Sequence, residues 1–219
     1  MIEIQKQEMP AWIVRNQSEK TAEYIAAPPA KKPSPWRAPE VVDSLKRECA
    51  KKCIYCESII DDVSYSAVEH IRPKSLFEDL VLAWDNLGLA CPRCNTNKGD
   101  YWTEDPGLRL LDPYRDVISE HLEFRGPLTV AKLGSSRGEN TLRRLKLHSR
   151  EDLLISRLRR IEELHTRLAM WHQEHDSGRK ELYAEDVAAA IAPDREFSAL
   201  LRAYAVQMGF PAARCSLGS

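Results

Sequence analysis

Residues 84–100 read WDNLGLACPRCNTNKGD, and the knuckle at their centre, Cys91-Pro-Arg-Cys94, decides the fold. Its counterpart lies upstream as Cys53-Ile-Tyr-Cys56. Two CxxC knuckles bring four thiolates to a set that suits one tetrahedral structural Zn²⁺. The opening MIEIQKQEMP lacks the basic-then-apolar order of a secretory signal, so a disulfide framework is not expected. A thioredoxin-like redox site needs one CxxC, not a matched pair. Cys49 and Cys215 are left as spare thiols. A closed zinc site contributes on the order of 10 kcal/mol to folding, so chelation is expected to unfold this region.

Cys56 and Cys91 lie further apart than the roughly 15–20 residues of a simple zinc ribbon, so something is inserted between the knuckles. The insertion contains AVEHIRPKS, residues 67–75, where Glu69 and His70 are neighbours on a short strand running into Pro73. Adjacent side chains on a strand point to opposite faces, so the pleat separates a carboxylate from an imidazole. Neutral imidazole can take a proton from water near pH 7. A hard divalent ion prefers oxygen donors and keeps several waters, which one carboxylate and one amide oxygen can satisfy.

The acid–His pair followed by x-x-Pro, the later Asn86, and Asn95-x-x-Lys98 directly after the second knuckle stand in an order that resembles the HNH nucleases. The likeness covers residues 53–102 and is greatest to the HNH components of bacterial anti-phage defence systems that act with a partner ATPase. It implies a ββα-metal fold, DNA as substrate, His70 as general base and Asn86 as the brace of the loop around it. By the same resemblance Glu69 and Asn95 hold a catalytic Mg²⁺ or Mn²⁺, with Asn97 as the competitor of Asn95. Glu69 departs from the more usual Asp or His and carries one more methylene than Asp. Lys98, Arg72 and Lys74 read as phosphate contacts that position the backbone without reading bases; Arg72 and Lys74 read equally well as solvated charges at a strand end.

The remaining chain frames this unit. With 219 residues, 43% hydrophobic and 30% charged, it can bury a real core, and no run approaches the roughly 20 apolar residues of a membrane span. A cytoplasmic protein is expected. Net charge is −1, but residues 40–105 carry 8 Lys/Arg against 13 Asp/Glu, whereas residues 126–180 carry 12 against 7. Polyanion attraction is therefore expected from the C-terminal half.

The fold class expected is α+β, mainly helical. Residues 1–35, ending in AAPPAKKPSP, read as an arm or linker; 36–110 as the zinc-stabilised HNH domain behind a helix starting at Pro39; and 111–219 as a helical region for docking DNA or a partner. Within the last, residues 149–175 predict a long helix with Ser149 as N-cap, Asp152 completing a capping box, and an apolar stripe of Leu154, Leu158, Ile161, Leu164, Leu168 and Trp171. Shorter helices are expected near 181–191 and 195–208. Trp84 and Trp102 read as core, and His121, His148, His165, His172 and His175 lack ligand spacing. Three functions compete: a DNA endonuclease, a catalytically silent zinc-containing nucleic-acid-binding module, and a scaffold that docks a larger partner.

Overall fold

A computed structural model describes residues 1–60 and 67–216. It corrects the first expectation at once, because residues 1–35 are not an extended arm. Helix α1 (Ala11–Ala26) occupies their middle. Between Pro10 and the Pro28-Pro29 pair the segment contains neither Pro nor Gly and is rich in Ala, Glu, Gln and Lys, all good helix formers. Ile13 and Tyr24, three turns apart on one face, are buried. The preceding residues are also tied down: the Ile4 N–H donates to Pro113 O at 2.9 Å, the Trp84 indole donates to Gln7 O at 2.8 Å, and Lys6 reaches Leu87 O at 2.7 Å.

Helix α2 (Pro39–Glu48) starts on proline, as expected, and buries Val41 and Leu45. It delivers the chain to the first knuckle, which closes on itself through Glu57 N–H to Cys53 O and Cys53 N–H to Ser58 O, both 2.9 Å. Strands β1 (Ala67–His70) and β2 (Leu87–Ala90) pair antiparallel, with Glu69 opposite Gly88 and His70 opposite Leu87. The chain then turns through Cys91 into helix α3 (Pro92–Lys98), which packs against β1. This is the ββα order expected. The first knuckle joins it because Ile54 N–H donates to Leu89 O at 2.9 Å. Gly88 lies under that approach, and a Cβ there would stand 2.7 Å from Ile54 Cδ1, so a larger residue would make that side chain shift.

Downstream, a hairpin of β3 (Leu122–Arg125) and β4 (Leu128–Ala131) leads into four helices: α4 (Ser136–Leu145), α5 (Glu151–Gln173), α6 (Ser177–Ala190) and α7 (Ser198–Gln207). Ser135 and Asp176 cap α4 and α6 by accepting the amides of Gly138 and Arg179. One continuous apolar core runs from α2 through the knuckles and β2 to α5, α6 and α7. Lys52 and Glu57, both buried beside the first knuckle, bind Ser198 at the start of α7, at 2.9 and 3.1 Å. The mainly helical α+β class is therefore as expected, and no helix among the described residues is long and apolar enough to cross a membrane.

Helix α5 departs from its expected start and register. Arg150, not Ser149, is the N-cap residue, and no side chain caps the helix. Asp152 is instead taken by Arg93 at 2.6 Å and Arg150 at 3.2 Å. The buried line is Leu153, Arg157, Ile161, Leu164 and Leu168, while Leu158 is 45% exposed. The first two turns are thus rotated by one residue from the expected stripe. Arg157 is drawn in because Thr129 Oγ1 at 2.8 Å and Pro127 O at 3.3 Å accept its N–H groups, which a buried guanidinium requires.

Candidate active site and four-cysteine cluster

The Sγ atoms of Cys53, Cys56, Cys91 and Cys94 all lie within 4.8 Å of one another. Cys56 and Cys91 are 3.8 Å apart. A tetrahedron with metal–sulfur bonds of about 2.3 Å has edges of about 3.8 Å, so this donor set fits a tetrahedral metal such as Zn²⁺. Cys91 starts α3, and its sulfur accepts the Cys94 N–H at 3.4 Å. Hydrogen bonding within the cluster, chiefly from Cys53, holds the Cys91 thiol down at about 7, whereas burial pushes the Cys53 thiol up.

The second set of groups lies on β1. Glu69 and His70 are both buried and their partners lie on different elements, in keeping with the pleat. Glu69 Oε1 faces α3 and the first knuckle: it pairs with Lys98 Nζ at 2.6 Å and accepts from Tyr55 OH at 3.4 Å. Burial pushes the Glu69 carboxyl above its usual range, and Lys98 opposes that rise.

His70 faces the other way. Its Nε2 lies 3.1 Å from Val81 O, and Trp36 meets the ring edge-on with centroids 4.9 Å apart. A carbonyl only accepts, so Nε2 carries the proton and the lone pair of the neutral ring is on Nδ1. Burial, with Lys74 and Lys98 nearby, lowers the His70 pKa to about 4 against the pull of the Val81 carbonyl. The ring is neutral at pH 7.

Asn86 holds the loop around the imidazole. Its Oδ1 accepts the Arg72 N–H at 2.7 Å, and its Nδ2 donates to Arg72 O at 3.1 Å and Leu80 O at 3.2 Å. The clamp thus spans both ends of the 72–80 loop, next to the carbonyl that orients His70. Arg72 stacks over Trp102 at 5.1 Å and Phe77 at 5.7 Å, and Lys74 sits 5.5 Å over Trp36. Trp84 is core, as expected, whereas Trp102 is half-buried between Arg72 and Arg109.

Lys98 is not a surface phosphate contact: its ammonium is buried, bonded to His70 O at 2.8 Å and paired with Glu69. It is drawn inward because Glu69 is buried and needs a counter-charge. Of the two asparagines, Asn97 donates to Leu145 O at 3.1 Å and ties α3 to α4, whereas the half-buried Asn95 makes no side-chain hydrogen bond among the described residues. Asn95 therefore keeps the freer amide oxygen. The carboxylate of Glu69 and that amide suit a hard divalent ion completed by water. Sequence reasoning missed Tyr55, Trp36 and Arg150; only Tyr55, inside the first knuckle, lay near a motif. A surface cavity between residues 2–10 and the end of α2 is not lined by Glu69, His70, Asn86 or Asn95.

Residues 53–101, which hold the ββα unit and both knuckles, match the family model for HNH endonuclease. Similarity extends beyond it to two proteins named Septu protein PtuB. That from Bacillus mycoides (strain KBAB4) is 34% identical over 145 residues, covering 53% of this chain and 49% of the relative. That from Bacillus thuringiensis is 28% identical over 159 residues, covering 72% and 59%. The chain thus spans about half the length of the curated relatives it matches.

Proposed function

We propose that this chain is a metal-dependent endonuclease that hydrolyses phosphodiester bonds in DNA, as the nuclease component of a bacterial anti-phage defence complex with a PtuA-like ATPase. The cytoplasm, where thiolates stay reduced, is its expected place of action. The observation that carries the reading is His70: neutral, its Nε2 proton directed to Val81 O, and its Nδ1 lone pair left as the base, within a segment that matches the HNH family.

In this reading His70 Nδ1 takes the proton of the attacking water, and Asn86 keeps the imidazole oriented by clamping the loop that ends at Val81. Glu69 and Asn95 hold Mg²⁺ or Mn²⁺, which supplies charge neutralisation at the phosphate and the leaving oxygen. Ion loading competes with Lys98, which already compensates Glu69. Arg72, preorganised on Trp102 and Phe77, and Lys74 contact the phosphate backbone. The four cysteines hold structural Zn²⁺, and the exposed Arg159 and Arg167 on α5 offer a surface for DNA or a partner.

The test is cleavage of plasmid DNA with Mg²⁺ or Mn²⁺, alone and with the partner ATPase, comparing wild type with a zinc-loaded His70→Ala protein. Cleavage by wild type and its loss in the variant is the expected result. One observation favours the silent binding or scaffolding module: His70 is 5% exposed and Glu69 1%, so both are covered in this conformation. No cleavage by wild type in any condition would establish that alternative over ours.

A further inference from the structure

Arg150, the N-cap residue of α5, and Arg157, on the face of α5 turned to the core, are both buried; Arg157 is bonded to Thr129 and lies near the buried Glu57, whereas Arg150 has no buried carboxylate partner among the described residues. The Arg150 side chain is 8% exposed, and its only carboxylate, Asp152, is 48% exposed and shared with Arg93. The other arm of the guanidinium points inward: Nη1 donates to Cys94 Sγ at 3.4 Å. Nε has no partner. A buried guanidinium needs an anion, and a Zn²⁺ held by four thiolates carries a net charge of −2. The anion that matches Arg150 is therefore the metal-loaded cluster itself.

We propose that Arg150 is a positioning residue of the four-cysteine metal site: it fixes the Cys94 thiolate by an N–H···S bond and joins metal occupancy to the seating of the first turn of α5. The path is short and continuous. Cys94 receives Arg150, Arg150 holds Asp152, and Asp152 holds Arg93 from within the second knuckle. Outer partners of this kind orient metal ligands and typically change metal retention by about 10–100-fold. Because Arg150 lies outside residues 53–101, it would make the C-terminal helices a part of the metal site rather than an appendage to it.

The test uses the full chain loaded with Co²⁺ for spectroscopy and with Zn²⁺ for release to a chromogenic chelator. An N–H donor stabilises the sulfur lone pairs, so Arg150→Met should move the thiolate-to-cobalt charge-transfer band to lower energy and speed zinc release about tenfold or more. Asp152→Asn, which loosens both arginine pairs but leaves the N–H···S bond, should keep the band in place. Arg150→Gln retains an N–H donor without charge and serves if the Met variant does not load; it should release zinc faster than wild type. A folded variant at 150 with both band and release rate equal to wild type overturns the proposal, as does a wild-type protein that retains no metal. Nuclease activity enters none of these readouts, so the proposal stands or falls apart from the proposed function.

Discussion

Two buried clusters sit within a few residues of each other and differ in how they are neutralised. The four cysteines converge on one point with no protein cation among them, and their arginine neighbour acts from outside. Glu69 and His70 are already satisfied by the chain itself: Lys98 holds the carboxylate, Val81 O the imidazole, and Trp36 covers the ring. The first cluster offers a donor set that awaits a cation, whereas the second is already neutralised by the chain itself.

The largest effect should come from stripping the first cluster. Chelation at neutral pH is expected to remove on the order of 10 kcal/mol of folding free energy, read as lost amide protection across the knuckles, β2 and α3. Persistence of protection in metal-free protein would erase the contrast between the two clusters. Next, Lys98→Met leaves Glu69 buried and unpaired and should cost about 3–5 kcal/mol in urea unfolding. Mg²⁺ or Mn²⁺ should restore part of that loss in the variant and stabilise wild type less. Equal ion response in both proteins would show that Lys98 and a divalent ion do not compete.

A smaller effect concerns pH. The folded-state pKa of His70, about 4, lies below its unfolded value near 6.5, so the unfolded chain binds the extra proton first. The contribution is full above pH 6.5 and is lost as pH falls toward 4, amounting to about 3 kcal/mol. His70→Gln should flatten that part of the stability profile; an unchanged slope would assign it to other groups. The smallest effect separates the asparagines. Asn97→Ala should cost about 1 kcal/mol by freeing Leu145 O, whereas Asn95→Ala should leave urea stability near wild type and weaken Mg²⁺ or Mn²⁺ binding measured by calorimetry. The reverse pattern would exchange their roles.

Much of the site was legible because its chemistry is carried by rare residues at short spacing. Cys53, Cys56, Cys91 and Cys94 announce a tetrahedral site by type and interval, and Asn86 holds the loop that the motif order implied. The errors share a different cause. Residues 11–26 were hidden by the prolines that follow them, since composition was read over the whole of 1–35 although only its end is proline-rich. Lys98 reads from the motif as a phosphate contact, and the expected stripe of α5 has Leu158 where Arg157 is buried; each cation is buried by one acceptor set supplied from elsewhere, Glu69 and His70 O for the first, Thr129 and Pro127 for the second. A sequence window contains no record of such a partner.

By itself, then, the sequence determined the four-cysteine donor set and the opposed faces of Glu69 and His70, because valence, spacing and the strand pleat are local properties, while the ββα order was implied by resemblance. Only the tertiary structure decided which charges are buried, which nitrogen of His70 keeps its lone pair, and that the N-cap of α5 at residue 150 reaches back to the sulfur of residue 94. Those choices depend on desolvation and on partners brought together across the core, and desolvation is a property of the folded surroundings rather than of any residue.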